Sequence, residues 1–388
     1  MKVRATGLFA LRSDRLTDEP RSSGFAKRRA PSRTLRIGFV PLTDAAPLLV
    51  AEALGFFDHL GLRVKLSAEP GWATLRDRLA FGELDAAHIL GPMPIALAAG
   101  LGGVRADLVV AAGLGANGNT MTLSADLAED IVGFAMPLQA QAFAQTIHAR
   151  ALKGLPKVTL AVVHPYSSHH YLLRHWLAEV GVDPDRDIRL TVVPPPLVAQ
   201  HLAVGAIDGF CAGEPWGSHA AALGAGRIAL SSGNIWPDHP EKLLVFRTDA
   251  LTSHRENATA ITAAVITATR WLEVPENRPE AIRILATRAF PTLARQTIAA
   301  ALEGQAAGIA LEHPLHFRDA SLPRYHEAAW WARAMRRWGH LPRSVPDSTA
   351  LAPWADDSLW RSAAERVGEP EPLASNPPPR LPELETIP

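Results

Sequence analysis

Four histidines lie close together in this chain, His164, His169, His170 and His175. His169 and His175 are six residues apart and do not share a helical face, whereas metal-ligand pairs on a helix stand three or four apart. No metal site is expected from them, and His170 and His175 read as structural. The single cysteine, Cys211, excludes an internal disulfide framework and any multi-cysteine metal centre. It sits in an apolar run and reads as a small buried side chain. No paired catalytic carboxylates and no phosphate-cradling glycine loop occur, so the chain is expected to bind rather than to catalyse, without a cofactor. What stands out is a phrase said twice. LAFGELDAAHILGPMP at 79–94 returns as LAVGAIDGFCAGEPW at 202–216, with a different ending.

The elements that carry this phrase follow from periodicity. LRIGFVP (35–41) is a β-rich apolar run stopped by proline, hence a buried strand. APLLVAEALGFFDHLG has helical spacing and a glycine stop, LRVKLSAEP alternates as a strand does, ATLRDRLAFGEL is a second helix and DAAHIL a third strand. The same grammar returns after residue 155: KVTLAVVHP, then SSHHYLLRHWLAEVG, IRLTVVPPP, LVAQHLAVGAI and DGFCAGEPW. Two β-α-β-α-β units therefore explain the repetition, each copy marking where the second helix hands over to the third strand. Ligands of open α/β sheets sit beyond the carboxyl ends of strands. PMP and EPW would thus form two walls of one cleft.

Residues 250 to 340 read mainly as amphipathic helices, and residues 341–388 as a proline-rich tail that cannot form its own core and is either disordered or laid along the body. Residues 1–33 hold nine basic and three acidic residues without hydrophobic periodicity and read as a disordered basic arm. The formal net charge of +0 over 388 residues gives no reason to expect direct nucleic-acid binding. The longest apolar stretches, such as IALAAGLGGV, fall well under the ~18 residues that a membrane span requires. In MKVRATGLFALRSDRL the apolar centre is closed early by Arg12, Asp14 and Arg15, so no working export signal is expected.

RIGFVPLTDAAPLLVAEALGFF, PGWATLRDRLAFGELDAAHILGPMP, HPYSSHHYLLRHWL, VVPPPLVAQHLAVGAIDGFCAGEPW and IWPDHPEKLL resemble the nitrate-binding proteins of ABC importers, the NrtA/CmpA-like family. They also resemble its cytoplasmic nitrate/nitrite sensor branch, of NasS type. The resemblance covers roughly residues 35 to 340. It implies an α/β, two-lobed periplasmic-binding-protein fold (type II), with two β-α-β-α-β lobes, a hinge and a C-terminal helical extension. Lobe 1 would take residues 35–125 and 240–340, lobe 2 residues 126–239, with crossings near 125–155 and 230–245.

By the same resemblance the anion would be contacted by Trp72, His169, Gly213 and Lys242, with Asn119 and Thr43 as weaker candidates at the cleft edge. Nitrate is a planar monoanion offering only acceptors, so its site should present donors and no spare carboxylate. Lys242 would supply the permanent positive charge, His169 one or two N–H groups, and Trp72 an indole N–H. Gly213 would let backbone N–H groups come close without a Cβ in the way. Lys242→Ala should then weaken nitrate binding with the fold intact. Glu214 fits poorly beside an anion unless it is turned away or paired, and pairing with a lysine or arginine is expected.

Within the sensor branch the implied function is a cytoplasmic nitrate or nitrite sensor that holds an RNA-binding, NasT-like antiterminator regulator and releases it when the anion binds. A solute-binding subunit of a nitrate importer is the alternative. Lys242 argues against the bicarbonate branch, where the resemblance implies calcium in place of the lysine. A related fold makes a thiamin pyrimidine precursor, but the residues for such chemistry do not appear.

Overall fold

The computed structural model describes residues 34–306, 308–317 and 320–370. The basic segment 1–33 and the tail beyond residue 370 lie outside the described residues. Ten strands form two mixed five-stranded sheets: β1 (Leu35–Phe39), β2 (Val64–Ala68), β3 (Ala86–Leu90), β4 (Leu108–Ala116), β5 (Asn119–Ser124), β6 (Thr159–Val162), β7 (Arg189–Val192), β8 (Gly209–Gly213), β9 (Gly226–Ser231) and β10 (Pro240–Arg247). Their orders are β2-β1-β3-β10-β4 and β7-β6-β8-β5-β9. In each sheet the first three strands are parallel and the fourth runs antiparallel. Each lobe receives that fourth strand from the other, because β5 follows a crossing out of lobe 1 and β10 a crossing out of lobe 2.

The repeated phrase has a structural meaning at its aspartate. Asp85 donates its backbone N–H to the Arg36 carbonyl (2.9 Å), and its carboxylate accepts from the Arg36 N–H (2.8 Å). Asp208 does the same with Thr159, at 2.8 and 2.7 Å. In both lobes the two partners are 49 residues apart. The last residue of the inserted strand then donates to the aspartate carbonyl, Arg247 to Asp85 (3.2 Å) and Ser124 to Asp208 (2.8 Å). One aspartate thus fixes the start of the third strand to the first and the end of the fourth. The turns before it use Gly82 and Gly205, both at positive φ (79° and 69°), where a side chain would be strained.

The first crossing is shorter and earlier than the expected 125–155. It consists of Asn117 and Gly118, both left-handed (φ 61° and 87°), a conformation that glycine and asparagine tolerate best. The strand-like run after it pairs with β8 and β9, so residues 119–124 belong to lobe 2. The second crossing spans residues 232–239. The crossings are joined to each other: Asn117 donates its N–H to the His239 carbonyl (3.1 Å) and its side-chain amide to Asp238 (3.4 Å) and the Pro314 carbonyl (3.1 Å).

The helix Tyr325–Arg337 lies against this hinge. Its Trp330 and Trp331 pack on Trp236 of the second crossing, with ring centroids 4.9 and 5.4 Å away. Past its end, His340 Nδ1 meets the Tyr171 hydroxyl of lobe 2 at 2.9 Å. Residues 341–370 run along lobe 1. The helix Ser358–Val367 buries Leu359, Trp360, Ala363 and Ala364, an i, i+1, i+4, i+5 stripe, beside the long helix Thr248–Glu273. Among the described residues no helix is long and apolar enough to cross a membrane.

The duplicated aspartate gives a direct expectation. Asp85→Ala and Asp208→Ala each leave a half-buried strand N–H without its acceptor, and each should cost about 1–3 kcal/mol in chemical denaturation. If one is silent, the two lobes are not held by the same contact.

Candidate functional site

Both lobes bring chain segments to one seam from the carboxyl ends of their parallel strands. After β1 the chain makes a short turn, Thr43–Ala45, which buries Asp44. After β2 the helix Trp72–Ala80 starts with Trp72 itself, on Gly71 as cap. After β6 the helix Ser168–Ala178 starts at the seam, capped by Ser167, whose hydroxyl accepts from the His170 N–H. A helix N-terminus presents free N–H groups and a partial positive charge, which suits an anion.

Lys242 in β10 stands at the centre and is 0% exposed. Its ammonium is 2.9 Å from Asp44 Oδ2 and 2.5 Å from Glu241 Oε1, and lies 5.6 Å from the Trp72 ring centroid in a cation–π contact. Asp44 also meets His88 Nε2 at 2.9 Å. Glu241 Oε1 accepts from the Ser168 hydroxyl of lobe 2 at 2.6 Å, so the ion pair reaches across the seam. His169 Nδ1 stands 3.8 Å from Glu241 Oε1, and His239 Nδ1 is 3.5 Å from Glu241 Oε2.

The protonation states follow from competition between burial and charge. Burial opposes the charge on Glu241, but Lys242, His169 and His239 outweigh it and hold the carboxyl down to about 2. Asp44 is lowered in the same way: burial resists, while Lys242 and His88 prevail. Burial works against the ammonium of Lys242 as well, and the two carboxylates raise its pKa nonetheless. Burial takes His169 to about 3 and lowers His88 and His239. At neutral pH the cluster holds one cation, two anions and three neutral imidazoles.

Of the residues expected at an anion site, Trp72, His169 and Lys242 come together in this cluster. Both ring nitrogens of His169 and the indole Nε1 of Trp72 are buried without a hydrogen-bond partner among the described residues. Asn119 and Gly213 are register partners on β5 and β8, and the Asn119 side-chain amide is likewise buried and unpartnered. A Cβ on Gly213 would stand 3.1 Å from Leu42 Cδ1, so the bare backbone there lets lobe 1 approach. Thr43 gives both its N–H (2.8 Å) and its hydroxyl (3.0 Å) to the Glu214 carbonyl, clasping the lobes together.

Three expectations are corrected. The site is not free of carboxylates, since Asp44 and Glu241 both lie on Lys242. Removing the lysine strands two buried anions, so its substitution is expected to cost stability and not affinity alone. Glu214 makes no pair with a lysine or arginine among its described contacts. Its carboxylate turns into lobe 2, accepting from the Thr120 hydroxyl (2.9 Å) and the Ser218 N–H (3.0 Å), and burial raises its pKa.

Asp44, His88, Glu241, His239 and Ser168 were missed. The available signal was His88 inside the uniformly apolar strand AAHIL, where an ionisable group needs a buried partner. Cys211 is buried and its thiol is pushed up to about 12 by burial, which makes it a poor nucleophile. Among the described residues no three His, Cys, Asp or Glu side chains are placed to hold a metal ion. A separate cavity of about 540 Å³ beside β7 is lined by His170, Arg174 and Asp185 and by none of the cluster residues.

Two mixed α/β lobes with an ionisable cluster at their seam define a solute-binding protein. A match to the NMT1-like family spans residues 28–286, and the chain belongs to that family. The nitrate/nitrite binding protein NrtA of Nostoc sp. PCC 7120 is 30% identical over 347 residues, 86% of this chain and 77% of the relative. The bicarbonate-binding protein CmpA of Synechococcus elongatus is 29% identical over 360 residues, 87% and 79% of the two chains. The crystal structure of the periplasmic nitrate-binding protein NrtA from Synechocystis PCC 6803 superposes with a TM-score of 0.80 at 30% identity, covering 89% of this chain and 93% of that one.

Two outcomes follow from the electrostatics. Lys242→Met should destabilise the protein by about 3–5 kcal/mol, and adding Glu241→Gln should recover part of that loss in urea titrations. Stability should also fall as pH drops below 6.5. His164, His169 and His170 are held near 3 by burial, so the unfolded chain, with histidines near 6.5, takes up protons that the folded chain refuses. Their stabilising effect is complete above 6.5 and is lost towards 3, at up to about 1.4 kcal/mol per pH unit for each histidine. A melting temperature constant from pH 7.5 to 4.5 would contradict this.

Proposed function

We propose that this chain binds nitrate or nitrite in the seam between its lobes. We further propose that it works as a cytoplasmic sensor of nitrate assimilation, holding an RNA-binding, NasT-like antiterminator regulator until the anion arrives. One observation carries the binding reading: Trp72 and His169 stand in the first turns of two helices, one from each lobe, and both have buried rings whose nitrogens lack hydrogen-bond partners among the described residues, beside Lys242. The relatives named for nitrate support the anion. Lys242 and the unpartnered groups of Trp72, His169 and Asn119 favour an acceptor-only ligand over a calcium-assisted one.

The sensor mechanism rests on resemblance to the cytoplasmic branch and on ordinary linkage. An anion that touches both lobes favours their closed arrangement by its differential affinity for it. A partner that prefers the open arrangement is then released, and must weaken anion binding by the same factor, typically ~5-fold to ~150-fold. The second reading, a solute-binding subunit of a nitrate importer, draws on the periplasmic NrtA structure.

Titration calorimetry with nitrate, nitrite and bicarbonate tests the ligand. Trp72→Phe should keep the fold, since the indole N–H has no protein partner to strand, and should weaken nitrate by about 10-fold to 100-fold. Unchanged affinity would place the anion elsewhere. Capture of the antiterminator-type regulator with and without nitrate tests the switch, and a complex indifferent to nitrate would refute it. A fusion of residues 1–40 to a reporter active only outside the cytoplasm separates sensor from importer.

A further inference from the structure

We infer that the seam takes up its anion together with a proton, and that His169 becomes the imidazolium which balances the incoming charge. This rests on the anion-binding reading above. Lys242 is already shared by Asp44 at 2.9 Å and Glu241 at 2.5 Å, all three being fully or almost fully buried. A monoanion placed beside them would be the third negative charge against one positive charge in a buried site. Such an imbalance is unstable, and a buried group answers it by changing its protonation.

The candidates for that proton differ in what already occupies them. Asp44 is held by Lys242 and His88, and Glu241 by Lys242 and Ser168. His88 has Nε2 on Asp44, and His239 has Nε2 on the Ser232 hydroxyl at 2.7 Å. His169 alone among these has both ring nitrogens free of hydrogen bonds. Protonated, it offers two N–H donors, one for the anion and one towards Glu241, 3.8 Å from Nδ1.

The charges around it set the direction. Glu241 and Asp44 favour an imidazolium, while Lys242 and His239 oppose it. On its own helix, the next histidine, His170, bonds to the Pro165 carbonyl and to Arg174, which is paired in turn with Asp185. The helix N-terminus also disfavours a cation there. Without an anion, burial keeps His169 neutral, with its pKa near 3. An anion in contact with the ring adds the missing attraction and raises that pKa, so binding draws a proton from solution. Affinity must then fall as pH rises through the range between the free and bound pKa values, by up to about tenfold per pH unit, the limit for one linked proton.

The test is nitrate titration of the full chain at pH 7 in buffers of different ionisation enthalpy, repeated from pH 6 to 8. The expected result is a heat that scales with buffer ionisation and reports up to about one proton taken up per nitrate, with Kd rising as pH rises. His169→Gln keeps an N–H donor but cannot charge, and should bind more weakly with a buffer-independent heat. Saturable nitrate binding with a buffer-independent heat in the native protein overturns the proton uptake and leaves nitrate binding standing. Undiminished uptake in His169→Gln overturns the assignment to His169. No nitrate heat at any pH removes the anion reading itself, and this inference with it. The native-protein measurements decide proton uptake even where the variant does not fold.

Discussion

The buried ion pair of Lys242 with Asp44 and Glu241 is the constraint on which the seam depends. It joins the turn after β1 to β10, and through the Ser168 hydroxyl it reaches the helix that carries His169. A buried cation is tolerated only when charge and hydrogen bonds surround it, so these elements cannot be rearranged one at a time. The seam is therefore specified by electrostatics as much as by packing. Its two neighbours, Trp72 on the lysine and His88 on the aspartate, close the cluster from lobe 1.

Much of this architecture was legible in the sequence because it rests on local signals. β1, β2, β3, β6, β7 and β8 fall inside the apolar runs that were read as strands, and the helices that follow start within a residue or two of the expected places. The repeated Gly-to-Asp phrase was visible, but its meaning was not. The partner of Asp85 lies 49 residues earlier, and nothing in a periodicity states which N–H a carboxylate will meet. The first crossing was misplaced for a related reason. Residues 108–116 are apolar or glycine, and after the left-handed Asn117 and Gly118 the chain continues at once as a strand of the other sheet, so no long linker marks the crossing. The run 46–61 read as one helix, yet Gly55 at φ 72° splits it in two.

The site was legible in part. Trp72, His169, Gly213 and Lys242 are marked as contacts only through resemblance, since by residue type each would ordinarily be core or surface. What sequence reasoning lacked was the countercharge. Asp44 sits beside the candidate Thr43, and Glu241 beside Lys242, but adjacency in a strand normally sends side chains to opposite faces. Around Pro240, Lys242 and Leu243 the register of β10 against β4 is irregular. The two neighbours at 241 and 242 turn to a shared contact, an arrangement that no alternating pattern predicts. Glu214 went the other way. It looked like a wall of the site and proved to contribute its main-chain carbonyl to the clasp with Thr43.

The two crossings between the lobes are bonded to one another through Asn117, Asp238 and His239, and Ala116 also pairs with His316 from a third segment. Two loose strands between bodies would allow bending, twisting and sliding alike. Fastened together, they resemble an axle, which leaves rotation as the easiest relative movement. The tryptophans of the helix Tyr325–Arg337 rest on that axle, while His340, just past the helix, touches lobe 2 at Tyr171. A small change of angle at the seam would therefore be felt by this helix as a displacement.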